Sequence, residues 1–279
     1  MANYYCLIAG LPDLTLDGGK KDYSVATLKE ECADMLTTKD SALLFYYFLK
    51  NDCKNLVRLL KNPDAELLPN GNYSREQFTD MITSAREMNF NVHRFPQFMS
   101  IYAREFNFNK DKEGWFAEDA MAQAYYEYAM NCPNKMMAEW FKLNFDITNI
   151  LTAMIARKNG WNVNDYILGD NEVNEMIRTN NTKDFDLRHE YDYVVDLMKI
   201  VDEEDPVMKE KRIDAFKWLW LDEQTFFETF SIEAVFAYFC KLEMLERWEK
   251  LDVEQGKETF RQIIENLRGE AKVPDEFKK

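Results

Sequence analysis

Trp140-Phe141-Lys142-Leu143-Asn144-Phe145-Asp146-Ile147-Thr148-Asn149-Ile150-Leu151 is the stretch that decides the fold class. With its flanks it places Met136, Trp140, Leu143, Ile147, Ile150 and Met154 at steps of 4, 3, 4, 3 and 4. That spacing puts all six on one face of an α-helix. Met137, Phe141 and Leu151 widen the stripe, so the helix packs against more than one neighbour. Asp146 lies between Leu143 and Ile150, where an acid is expected to be at least partly buried. Left unpaired there it would cost several kcal/mol, so it needs donors from a neighbouring helix or turn. Asp146 and Asn149 stand at i and i+3 and share a helix face.

Outward from this stretch, the pattern predicts a helix over 133–158. It ends in Arg157 and Lys158, cations suited to a helix C-terminus, with Gly160 as a left-handed cap. Upstream, helices are predicted over about 25–36, 39–61, from Ser74 towards Phe90, from Pro96 to Phe108, and over 115–130. Ser24 is read as an N-cap and Ser74–Gln77 as a capping box. Downstream, short helices are predicted near 163–168 and 172–178, then helices over 185–201, 207–221, 222–250 with a break, and 257–267. The opening Tyr4–Leu14 reads as an apolar, buried stretch. With only 9 Gly and 7 Pro in 279 residues, punctuation is too scarce for a sheet-rich fold, and the fold class is all-α.

Two polar breaks divide the chain. Asn109–Gly114 and the acidic Asp202-Glu203-Glu204-Asp205-Pro206 set the expected units at 1–110, 111–205 and 206–279. A threefold echo fits this division. Tyr47 is followed five residues on by Asp52, Phe141 by Asp146 and Tyr238 by Glu243. The first two copies share D-x-x-N before an aliphatic residue, through Asn55 and Asn149; the third has Glu246 where the Asn would be. The acids lie 94 and 97 residues apart. Asp52, Asn55, Asp146, Asn149, Glu243 and Glu246 are therefore the candidate site residues. Each is read either as a polar staple fixing the geometry of its helical unit or as a contact to a ligand.

Composition excludes several function classes. With 35 Lys+Arg against 50 Asp+Glu, the net charge is −15, which repels phosphate backbones and anionic lipid. A hydrophobic fraction of 46% excludes a disordered chain. The longest apolar run, Ala42–Leu49, is far too short to span a bilayer. The five cysteines are scattered without C-x-x-C, as expected of free thiols in a reducing cytoplasm. There is no phosphate loop, dinucleotide fingerprint or nucleophile elbow. His93 and His189 are the only histidines, and neither lies in the E-x-x-H pattern of a helical di-iron site. No catalytic residue, cofactor or metal is expected.

The stretch from Trp140 to Leu151, continuing to Ala156-Arg157-Lys158, resembles the C/d subunit of V-type and A-type ATPases. That family repeats an aromatic, D-x-x-N-[LI] and a later R-x-K on long helices. Here the basic pair is compressed to Arg157-Lys158. The third copy, from Tyr238 to Glu243 and on to Gly256-Lys257, looks like that family's last repeat, in which a Glu heads the motif. The opening Tyr4-Tyr5-x-Leu7-Ile8-Ala9-x-Leu11-Pro12 resembles a little-characterised bacterial family associated with V-type ATPase operons. The usual C/d opening, with its small-residue and arginine-rich helix, is not visible, and the chain is shorter than typical members. The resemblance implies a funnel of three similar helical bundles about a pseudo-threefold axis. It implies a non-catalytic central-stalk rotor subunit, cytoplasmic and peripheral to the membrane through its complex. Its partners would be the central-shaft subunits and the membrane proteolipid ring. The alternatives are an unrelated all-helical protein-interaction adaptor and a helical enzyme.

Overall fold

Among the described residues, six α-helices begin on a short polar side chain that accepts a hydrogen bond from a backbone N–H in the first turn. The caps are Ser24, Thr37, Ser74, Asn134, Asn171 and Asp205. Each satisfies a donor that the helix itself leaves unpaired. Ser74 and Gln77 close a reciprocal capping box. These caps, together with the left-handed Gly114, Gly160 and Gly169, punctuate the chain.

The computed structural model describes residues 4–16, 23–87 and 95–250. Among them the elements are α1 (Tyr5–Gly10), α2 (Val25–Met35), α3 (Thr38–Lys61), α4 (Arg75–Arg86), α5 (Gln97–Asn109), α6 (Ala117–Ala129) and α7 (Lys135–Lys158). They continue with α8 (Glu172–Thr179), α9 (Val194–Val201), α10 (Pro206–Thr225) and a last helix, α11, described over 232–250. Short 3-10 turns lie at Val163–Asp165 and Leu187–His189. No β-strand occurs among the described residues, so the all-α fold class holds. No helix among them is long and apolar enough to cross a membrane.

The long helices α3, α7 and α11 meet at an aromatic junction. The Phe236 ring of α11 lies 5.7 Å from Tyr47 of α3 and 6.0 Å from Phe141 of α7, edge-on to both. Trp140 extends this junction to Trp220 of α10, at 5.6 Å. Edge-to-face pairs of this kind each add about 1 kcal/mol beyond the area they bury. The breaks at 110–116 and 202–205 are turns between helices, but one continuous apolar core runs from Tyr4 to Met244 across both. The thirds of the chain are thus sections of one core.

Several local expectations differ from the structure. The opening forms a short amphipathic helix, with Tyr4 and Leu7 buried and Tyr5 and Cys6 exposed. It is pinned by a 2.8 Å bond from the Tyr4 N–H to the Phe230 carbonyl and by the Tyr4 hydroxyl on Asp40. The helix predicted over 185–201 is cut back to α9, because Phe185 and Asp186 both adopt left-handed backbone. Arg157 fixes that turn from outside the segment. Its guanidinium lies 3.9 Å from the Phe185 ring centre and donates to the carbonyls of Thr182 and Asn180. The break within 222–250 falls at 226–231, so α10 runs on to Thr225. The turn predicted at Asp17–Lys20, the helix predicted over 257–267, Gly256-Lys257 and His93 lie outside the described residues. Of the cysteines, Cys32, Cys53, Cys132 and Cys240 are buried thiols and Cys6 is exposed.

Candidate functional site

Asp52 and Asn55 face inward from α3 and are 0% and 1% exposed. Both grip the loop that leads to α4. Asn55 takes up both backbone groups of Leu68: its Nδ2 donates to the Leu68 carbonyl at 3.1 Å, and its Oδ1 accepts the Leu68 N–H at 2.6 Å. The Asp52 carboxylate accepts the Asn72 N–H at 2.8 and 3.0 Å, the Asn72 side-chain amide at 2.7 Å and the Tyr73 N–H at 3.2 Å. Lys29 of α2 closes over the same loop, its amine 2.6 Å from the Gly71 carbonyl. Burial pushes the Asp52 carboxyl above its ordinary range, while these N–H donors and Lys29 pull the other way.

The second copy repeats the grip on α7. Asp146 and Asn149 are each 1% exposed. Asn149 takes up both backbone groups of Leu168, donating at 3.0 Å and accepting at 2.8 Å. Asp146 accepts from the side chain of Asn171 at 2.7 Å and from Lys142 at 3.1 Å. Asn171 is in turn the N-cap of α8, as Ser74 is of α4. Burial raises the Asp146 carboxyl as well, against the pull of Lys142 and Asn171. Within this loop Asn174 donates to the Leu168 and Gly169 carbonyls, at 2.5 and 3.1 Å. Gly169 needs its left-handed φ of 78° and lies against the Phe145 ring.

The third pair lies on α11, at the junction of the long helices. Glu243 accepts the Tyr47 hydroxyl at 2.9 Å and faces Lys50 at 4.0 Å. Burial pushes its carboxyl up, but Lys50, the Tyr47 hydroxyl, Lys54 and Arg247 outweigh that and hold it below the ordinary range. Glu246 accepts the Val25 N–H, at the start of α2, at 2.8 Å. These two residues tie α11 to α3 and to the start of α2; the stretch after residue 250, where a loop following this copy would stand, lies outside the described residues.

Glu243 also faces a cleft of about 400 Å³ where α3, α7, α10 and α11 converge. Aromatic side chains including Tyr126 and Trp140 form part of its wall. Among the described residues, its charged lining is five basic side chains (Lys50, Lys54, Lys217, Arg247 and Lys250) against three carboxylates (Asp214, Glu243 and Glu246). Burial lowers the Lys217 amine to about 8, partly offset by Asp214. Asp214 is buried and taken up by Arg247 and by the Trp248 indole N–H at 2.8 Å.

Sequence reasoning missed the loop partners Leu68, Asn72, Leu168 and Asn171, and it missed Lys217. The loop residues do leave a signal. Leu68-Pro69-Asn70-Gly71-Asn72 and Leu168-Gly169-Asp170-Asn171 each place a Leu and an Asn after the long helix, before a helix start. His189 lies in a 3-10 turn, and no group of three or more His, Cys, Asp or Glu side chains able to hold a metal occurs among the described residues.

A family profile described as "Protein of unknown function (DUF2764)" matches residues 1–271. The chain belongs to the DUF2764 family. No curated protein and no solved structure matches it. The family description states no function, so the paired loop grips and the basic cleft are what this DUF2764 member offers for a functional reading.

Proposed function

We propose that the chain is a non-catalytic central-stalk subunit of a V/A-type ATPase, coupling the membrane proteolipid ring to the central shaft. The observation that supports this is the duplicated grip. Asp52/Asn55 and Asp146/Asn149 stand 94 residues apart on two 24-residue helices, and each pair holds the loop to the next short helix. With α11 completing the junction, the arrangement suits the pseudo-threefold funnel that the resemblance implies. Long helices with buried polar locks resist bending and shear, as a torque-carrying part must. An acidic outer wall keeps such a part from self-associating.

The test is co-purification. Tagged chain, expressed with the shaft and proteolipid-ring subunits of its own cell, is expected to recover both. Recovery of neither, under conditions that keep the rest of the ATPase intact, would overturn the reading. Bound peptide or unrelated protein instead would favour the adaptor. One surface favours a protein contact in either case. Phe226 and Phe227, at the turn into α11, are 72% and 89% exposed, and Phe230 beside them packs on the exposed Tyr5 ring at 4.9 Å. Cytoplasmic residence and peripheral attachment to the membrane follow from the rotor role.

A further inference from the structure

We propose that the basic cleft binds a small anion of the phosphate class, held between Lys54 of α3 and Lys217 of α10. This does not rest on the rotor reading. In a chain of net charge −15, the described lining of the cleft carries two more cations than carboxylates. Lys50 spends its charge on Glu243, and Arg247 on Asp214 and Glu210. Lys54 and Lys217 make no ion pair or hydrogen bond among the described residues, although both line the cleft. Lys50 and Arg247 repel each of them, against the pull of Glu243 on Lys54 and of Asp214 on Lys217. Gathering like charges in this way destabilises a fold unless something neutralises them.

The chemistry of the donors selects the ligand. The cleft's Arg247 fork is already engaged by Asp214 and Glu210, so among the described residues no free guanidinium of the lining offers a planar carboxylate two parallel bonds. Lysine amines act as compact point charges and suit the oxygens of a tetrahedral phosphate. Asn51 and Asn144 add side-chain amides to the lining. The volume of about 400 Å³ lies within the range of small-molecule sites. Such a ligand would bridge α3 to α10, joining the first and last thirds of the chain.

The experiment is calorimetric titration of the full chain at pH 7 and low salt with inorganic phosphate, pyrophosphate and ATP. A dicarboxylate, glutarate, serves as the control anion. We expect one phosphate-bearing ligand per chain, a raised Tm with that ligand, and at least about a tenfold weaker Kd in both Lys54→Gln and Lys217→Gln. The exposed-site variant Lys199→Gln is expected to bind like the parent. Which of the three ligands binds best identifies the source of the phosphate. Three results would each overturn the proposal: no binding of any of them up to about 10 mM, unchanged affinity in both cleft variants, or glutarate binding as tightly. Circular dichroism of each variant separates a lost site from a lost fold.

Discussion

Gly71 passes so close to Asp52 that no side chain fits between them. A Cβ built on Gly71 would overlap Asp52 Oδ1, stand 3.4 Å from Asp52 Cγ and 3.6 Å from Asn55 Nδ2. Gly71 is not among the residues with left-handed backbone, so it serves close approach rather than an unusual φ. Gly71→Ala is therefore expected to cost about 1–3 kcal/mol by forcing the Asp52 carboxylate off the loop. In an Asp52→Ala background the same change is expected to cost less, because the obstacle is gone. Strict additivity in a denaturation double-mutant cycle would refute the coupling.

The two aspartates are not expected to weigh equally. Asp52 holds two backbone N–H groups, of Asn72 and Tyr73, which Asp52→Ala leaves without that acceptor. Asp146 is bonded to side chains, of Asn171 and Lys142, and Lys142 is half exposed and free to turn to water. We expect Asp52→Ala to cost about 2–4 kcal/mol and Asp146→Ala more than about 1 kcal/mol but less than Asp52→Ala. Urea titrations of both variants decide it. An unchanged melting temperature for either would reject the view that these carboxylates lock their loops.

Lys217 should give the protein an alkaline signature. Its amine titrates near 8 in the folded chain, against an ordinary 10.5. Below pH 8 it is charged in both states, and the folded state carries the cost of holding that charge in the cleft. Between pH 8 and about 10.5 the folded state releases its proton first, so this cost fades as pH rises. Lys217→Met is expected to stabilise the chain by about 1–3 kcal/mol at pH 7 in phosphate-free buffer, with the gain shrinking towards pH 10. A gain independent of pH would mean the effect is packing and not charge.

Arg157 is expected to govern the segment from Asn180 to Asp186. It binds two of that segment's carbonyls and stacks on the Phe185 ring. Arg157→Ala should speed amide exchange over residues 180–189 while leaving α7 protected. Arg157→Lys should not restore protection, because one amine cannot replace a planar fork that bonds two carbonyls while stacking. Full protection in either variant would show that the segment holds its shape without this anchor.

Much of the architecture could be read in advance because it depends on local rules. The stripe from Met136 to Met154 and the caps at Ser24 and Ser74 act within one or two turns, and the helices form where they point. The burial of Asp52 and Asp146 was legible too, since both interrupt apolar faces. The failures are non-local. Apolar spacing continues through Phe185 as if a helix began there, but Thr182 and Asp184 hold the backbone in a turn that Arg157, from the end of another helix, clamps. Glu243 aligns in sequence with the two aspartates, and its partners Tyr47 and Lys50 come from α3 across the junction, which no local pattern announces. Lys217 looks like any surface lysine in sequence, because its environment is assembled from α3 and α11.

The two loop grips differ in one respect with a practical consequence. From the gripping Asn to the gripped Leu is 13 residues in the first copy and 19 in the second, yet the bond pair is the same. Three of the six extra residues lengthen α7 beyond its Asn, and three lengthen the loop, which carries the 3-10 turn at Val163–Asp165 with the exposed Trp161 and Tyr166. Contour length upstream of the clamped leucine is therefore tolerated slack. That excursion is a natural point to splice in a fluorophore tag or an affinity epitope while the helices on either side stay in register.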